Sequence, residues 1–211
     1  MASVAGPGTH PVQDTVVDLR TAPGRGAVIA SLAALVPILW VPLTLLHPDS
    51  AAVLDGRETG VWSTVHLGQL VLAPLVALGV LQLLSPLSGA ATWVARIALL
   101  AWLALFSAFD AIAGIATGVL ADGGLLDAAT YLFEEGQVGG GSILGWVAQP
   151  LWIVVAVASG LALRANGVGW LAAGALLASS LFSTHAGWVA AIGLLALALG
   201  LWFGISRRSV K

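Results

Sequence analysis

The chain has 211 residues, of which 59% are hydrophobic and 9% charged, with a formal net charge of −2 and no cysteine. A soluble domain carries about 25% charged residues, so this composition predicts one membrane domain and no sizeable soluble one. The near-neutral charge offers no basic face for nucleic acid, and the missing thiols exclude disulfides, thiolate metal sites, covalent c-type haem and cysteine nucleophiles.

Residues 1–26 are rich in Pro, Gly and Thr with mixed charge and contain no apolar core before a small-residue cleavage site. They are expected to be a disordered cytoplasmic tail, not a signal peptide. The first apolar run, 27–47, is long enough for one span and carries Pro37 and Pro42, which in a membrane bundle mark kinks. A polar loop, 47–60, holds Asp49, Asp55, Arg57 and Glu58. The second run is 61–84, with Pro74 inside, and the tight loop 85–89 makes the second and third helices antiparallel neighbours. The third run, 90–121, is apolar except for Asp110, well inside it. A carboxylate at the centre of a span costs roughly 2.5–3.5 kcal/mol on insertion scales, so Asp110 marks a candidate site.

The outer loop 122–142 places Leu125, Leu126, Ala129, Leu132 and Phe133 mostly on one helical face, which predicts a short amphipathic helix on the membrane surface. The glycines at 139–141 read as a flexible joint. The fourth, fifth and sixth runs are 143–163, 168–183 and 186–205, the fifth being short for a span. A basic tail, 206–211, follows. The expected fold is therefore all-α: a polytopic bundle of six transmembrane helices over 27–205.

Charge asymmetry orients it. Six spans put Arg20, Arg25, Arg96, Arg164, Arg207, Arg208 and Lys211 on one side, with Arg57 alone among seven acidic residues on the other. Positive charge stays inside, which predicts that both termini are cytoplasmic. Trp62, Trp146 and Trp188 fall at outer helix ends and Trp93, Trp170 and Trp202 at inner ends, as an aromatic belt requires. Trp40, Trp102 and Trp152 lie deeper, as packing residues. The bias towards Arg over Lys, with abundant Ala, Gly, Leu and Val, is that of a GC-rich bacterial genome, so the expected location is a bacterial inner membrane.

This topology puts Asp110 about 21 Å beyond Arg96 along its helix, in the outer half of the membrane. His47, His66 and His185 share that half. Ser63, His66 and Gln69 form one polar stripe on the second helix, and Ser107, Asp110, Gly114 and Thr117 another on the third. Gly114 and Gly118 form a GxxxG pair that permits close helix approach. Thr44 shares a face with His47, and Gln149 is a further candidate. The expected site is an outward-facing pocket for a small ligand, ion or proton, made by Asp110, His66, Gln69, Ser63 and Ser107. In the inner half only Gln82 is polar, which favours a pocket over a channel.

Three alternatives stand beside this one. Imidazoles and a carboxylate suit a divalent metal, with His66, His185, His47 and Asp110 as ligands. His66 and His185 on facing helices suit a b-type haem, and either cofactor implies redox or hydrolytic chemistry. On the third alternative the polar residues tie the helices together in a non-catalytic accessory subunit of a larger membrane complex, or in a homo-oligomer. Ser63, His66 and Asp110 resemble in part the zinc-dependent seven-helix membrane hydrolases, but the paired HxxxH of that family's last helix is missing, since His185 stands alone. The sequences His47-Pro48-Asp49 and His66-Leu67-Gly68-Gln69 resemble those of small bacterial membrane proteins, which implies no activity. No phosphate loop, dinucleotide motif or nucleophile elbow is present.

Overall fold

The computed structural model describes residues 25–135, 144–184 and 186–207, and every regular element among them is helical. The tails, the glycine joint and His185 lie outside the described residues. Five helices are long and apolar enough to cross a membrane: Gly26–Leu45, Thr59–Leu84, Ala90–Asp122, Gly145–Ala165 and Gly187–Ser206. These fit a multi-pass membrane protein. We label the elements α1 (Arg25–Leu45), α2 (Ser50–Leu54), α3 (Thr59–Leu84), α4 (Ala90–Phe109), α5 (Thr117–Asp122), α6 (Leu126–Thr130), α7 (Gly145–Ala165), α8 (Trp170–Ala178) and α9 (Gly187–Ser206).

The run 168–183, counted as the fifth span though short for one, is not among the five long helices. It forms a shorter apolar helix, Trp170–Phe182, in which α8 tightens into a 3₁₀ segment, Ser179–Thr184. At helical rise it covers roughly 20 Å, less than the hydrocarbon thickness of about 30 Å. It nonetheless packs between α7 and α9. The Trp152 indole donates to the Ser179 carbonyl at 2.8 Å, and Gly193 lets α9 lie directly on the backbone of Leu181 and Phe182.

Proline does not end any span. α1 continues through Pro37 and Pro42, α3 through Pro74 and α7 through Pro150. Neighbouring contacts show the helices alternating in direction. Gly79 late in α3 lies by Ala33 early in α1, Gly204 late in α9 meets Leu83 late in α3, and Gly200 meets Leu176 of α8. Small residues at these crossings bring backbones close, which strengthens van der Waals packing where lipid supplies no hydrophobic drive between helices.

The two ends of the bundle therefore differ chemically. One end collects the start of α1, the α3–α4 loop and the α7–α8 turn. There Arg96 donates to the Leu84 and Ser85 carbonyls at 2.7 and 3.1 Å, and Asn166 donates to Ser88 at 3.3 Å. Arg164 and Arg207 lie at the same end. The opposite end carries Asp49, Asp55, Glu58, Asp122, Asp127 and Glu134, and the Thr59 hydroxyl donates to Asp122 at 2.9 Å.

Between them lies an aromatic centre. Trp40, Trp102, Trp152, Phe106 and Phe182 are all buried, with ring centroids 4.7–5.6 Å apart for Trp102–Trp152, Trp40–Phe182, Trp102–Phe106, Trp152–Phe182 and Trp40–Phe106. The three deep tryptophans thus pack as expected. Trp93, Trp146, Trp170 and Trp188 are exposed on the bundle surface. Trp62 departs from the belt expectation: it is buried, because its ring is drawn into the site described next.

Segment 126–135 is helical, as α6 followed by a π-helical turn, Tyr131–Glu135. Its apolar side chains Leu126, Ala129 and Phe133 pack with Val53, Trp62 and Ala121 in a second small core. Leu125, expected on the same face, is exposed. This face is spent on the protein, where α2 offers a partner that the polar character of the 47–60 loop did not announce.

Candidate functional site

The third apolar run is one continuous helix, Ala90–Asp122, but its geometry changes at Asp110. Residues Asp110–Ala116 form a π-helical segment. A π turn inserts one extra residue, so carbonyls there lose their ordinary partners, and such segments recur at functional sites. Two side chains take up the slack. The Thr117 hydroxyl donates to Ile112 at 3.2 Å, five residues back, and the Trp62 indole donates across to the Gly114 carbonyl at 2.7 Å.

That cross-helix bond aligns α3 with the π segment. Gly114 sits directly against the His66 ring, and Gly118 sits against Ser63 and Trp62. A Cβ at either position would overlap these side chains. The Gly114/Gly118 pair thus provides the close approach its spacing predicted. At this crossing His66 Nδ1 and Asp110 Oδ1 share a hydrogen bond of 2.8 Å, with both side chains fully buried. The predicted partners meet.

The elements around the pair supply a mostly aromatic wall. The Trp62 ring lies 4.6 Å from His66, and His47 lies 5.0 Å from both. Phe109 flanks His66, and Phe133 leans on Trp62. His47 Nδ1 is 2.8 Å from the Pro48 carbonyl, to which it donates. Lying past the end of α1, His47 is half-buried, and burial first, with repulsion from His66 second, lowers its pKa from 6.5 to about 4.

His66, Gln69 and Asp110 have no solvent exposure, so the open pocket expected from the sequence is a closed site here. Trp62, His47, Phe109 and Gly114 all pack on the His66 ring. Among the described residues, His66 Nε2, Asp110 Oδ2 and both amide atoms of Gln69 have no hydrogen-bond partner. Buried polar groups are almost always paired, so this concentration of spare valence within three side chains separates the site from the rest of the bundle.

At zero net charge the His66–Asp110 pair holds two protons. One arrangement is the imidazolium–carboxylate pair, and the others keep both groups neutral. In each of them Nε2 and Oδ2 present one donor and one acceptor, and moving protons within the pair exchanges or preserves those roles. Zero net charge is also what makes burial in a low-dielectric bundle affordable.

Ser63 and Ser107 are half-buried, and among the described residues neither hydrogen-bonds to the pair. Thr44 is buried but its hydroxyl donates to its own helix, at Val41. Gln149 is half-buried on α7. His185, required for the two-histidine haem site, lies outside the described residues. Among those described, no group of three His, Asp or Glu side chains converges as metal ligands. Trp62, expected in the interfacial belt, is instead packed on the His66 ring beside His47. The spacing held a signal for this: Trp62 is four residues before His66, on the same helical face.

Among the described residues the fold is all-helical, its five long apolar helices fit a multi-pass membrane protein, and the His66–Asp110 pair is buried inside the bundle. No family model, curated protein or solved structure matches the chain.

Proposed function

We propose that this chain is a bacterial inner-membrane protein with both termini cytoplasmic, in which the His66–Asp110 pair, with Gln69, binds a small polar ligand or proton delivered from the outer face. On this reading α8 with its 3₁₀ extension serves as the sixth crossing, which returns the C-terminus to the side of the N-terminus. The segregation of Arg96, Arg164 and Arg207 to one end and the acidic loops to the other supports this orientation.

The carrying observation is the 2.8 Å bond between two fully buried ionisable side chains whose outer atoms, Nε2 and Oδ2, have no partner among the described residues. A carboxylate–imidazole pair with one donor and one acceptor to spare is suited to exchanging protons or to gripping a ligand that offers both. The aromatic centre supports binding over conduction: Trp102 and Phe106 precede Asp110 on the same helix, between the pair and the basic end.

The test is proton binding by the purified protein in detergent, read as protons taken up after a pH jump in weakly buffered solution. Asp110→Asn keeps shape but removes the carboxylate, and is expected to abolish pH-coupled uptake while leaving the helical content unchanged. Equal uptake by both proteins would sink the reading and favour a purely structural tie between α3 and the π segment.

A further inference from the structure

The basic end of the bundle carries a second feature, independent of the buried pair. The turn between α7 and α8, residues 166–169, is held firmly. Asn166 donates to the Ala162 carbonyl at 2.8 Å, and Gly167 takes a positive φ of 71°. Two guanidinium groups converge on this turn from different helices. Arg164, in the last turn of α7, lies over the Trp170 ring at 4.0 Å. Arg207, at the end of α9, brings its Nη1 so close to Gly169 that a Cβ there would collide with it. Arg164, Gly167, Val168, Gly169 and Trp170 line a groove of about 360 Å³.

Arg164 lines the groove and Arg207 reaches its Gly169 wall, and like charges brought to one turn repel each other unless an anion is shared between them. The ion pairs among the described residues are Arg57–Asp55 and His66–Asp110, so neither arginine has a carboxylate partner among those residues. The acidic side chains of the described loops sit at the far end of the bundle. Stacking on Trp170 fixes the Arg164 plane while leaving its N–H groups free to donate. The first N–H groups of α8 have no side-chain cap and open at the same place. Trp170 is exposed at the start of α8 and is of the residue type that anchors at a membrane interface.

We propose that this groove is a phosphate-binding site for the headgroup of an anionic phospholipid, clamped between Arg164 and Arg207. Guanidinium groups bind phosphate oxygens in a fork geometry. Basic pockets between spans on the cytoplasmic side are where such headgroups are captured.

The experiment uses the full chain in detergent, with retained lipid read by native mass spectrometry and thermal stability read in parallel. Three probes are compared: phosphatidylglycerol, phosphatidylcholine and inorganic phosphate. Phosphatidylglycerol is expected to be retained and to stabilise, with phosphatidylcholine doing neither, and its binding should weaken as salt screens the arginines. The double variant Arg164→Gln/Arg207→Gln should bind it about tenfold more weakly. Arg164→Lys/Arg207→Lys, which keeps the charge but loses the fork, should bind more weakly than the wild type and more tightly than the glutamine pair, and guards against a folding defect. Arg57→Gln, at the opposite end, should change nothing. Stabilisation by inorganic phosphate alone, lost in the glutamine variant, would support the phosphate chemistry and assign it to a soluble ion. Phosphatidylglycerol retention unchanged by the glutamine pair, or lost equally in Arg57→Gln, overturns the proposal.

Discussion

His47 shows how one side chain links the site to solvent conditions. It lies outside the spans, half-buried against Trp62 and His66, and burial holds its pKa at about 4 against 6.5 in the unfolded chain. Its folded form therefore binds fewer protons than its unfolded form between those two values. The sign follows: stability is fully present above pH 6.5 and falls as the pH drops towards 4, by at most about 1.4 kcal/mol per pH unit. Thermal unfolding in detergent from pH 7.5 to 4 should show this decline, and His47→Gln should flatten it. An identical slope in the variant would mean that other groups carry it. The same residue shows the reach of sequence reasoning at this scale. Its place after α1 was legible, but its contact with His66 depends on how α1 leans on α3, which no spacing within either helix encodes.

At the scale of elements, the π segment Asp110–Ala116 is the decisive piece. It is held from outside by the Trp62 indole bond to Gly114 and made possible by the lack of a side chain at Gly114. Gly114→Ala should therefore push the His66 ring aside and destabilise the protein by about 1–3 kcal/mol, the usual cost of overpacking. Gly174→Ala on α8, where a Cβ meets nothing within 4 Å, should be neutral or slightly stabilising. Paired unfolding measurements check the contrast, and equal stability of the two variants would show that the crossing has room to spare. The Gly114/Gly118 spacing announced close approach. The π geometry had no such signal, because a run of Ala, Ile and Gly is compatible with a straight α-helix and the extra residue is stabilised by a partner on another helix.

At the scale of the whole molecule, the segregation of charge between the two ends makes a prediction about sidedness. The chain has no cysteine, so single substitutions report position without background. On intact cells a membrane-impermeant maleimide should label Arg57→Cys, and should label Arg164→Cys only after permeabilisation. Labelling of both from the same side would contradict the proposed orientation. The span count belongs to this scale too. Apolar runs were countable from composition, but whether 168–183 makes a full span depends on length. The apolar helix Trp170–Phe182 is shorter than the five long ones even with the 3₁₀ residues it includes, which sit where Gly193 lets α9 approach.

By itself the amino-acid sequence determined the all-helical membrane character, the positions of the five long helices, the packing role of Trp40, Trp102 and Trp152, and the candidacy of Asp110 and His66. These follow from hydropathy over about 20 residues and from the cost of placing ionisable groups among them, both local properties. Only the tertiary structure decided that His66 and Asp110 share a bond, that both are closed off from solvent, and that Leu126, Ala129 and Phe133 pack against the protein. Those outcomes depend on the rotation and depth of one helix against another. In an apolar chain many such rotations bury similar area, and the choice among them rests on a few specific contacts: the Gly114–His66 approach, the Trp62 bond and the aromatic centre.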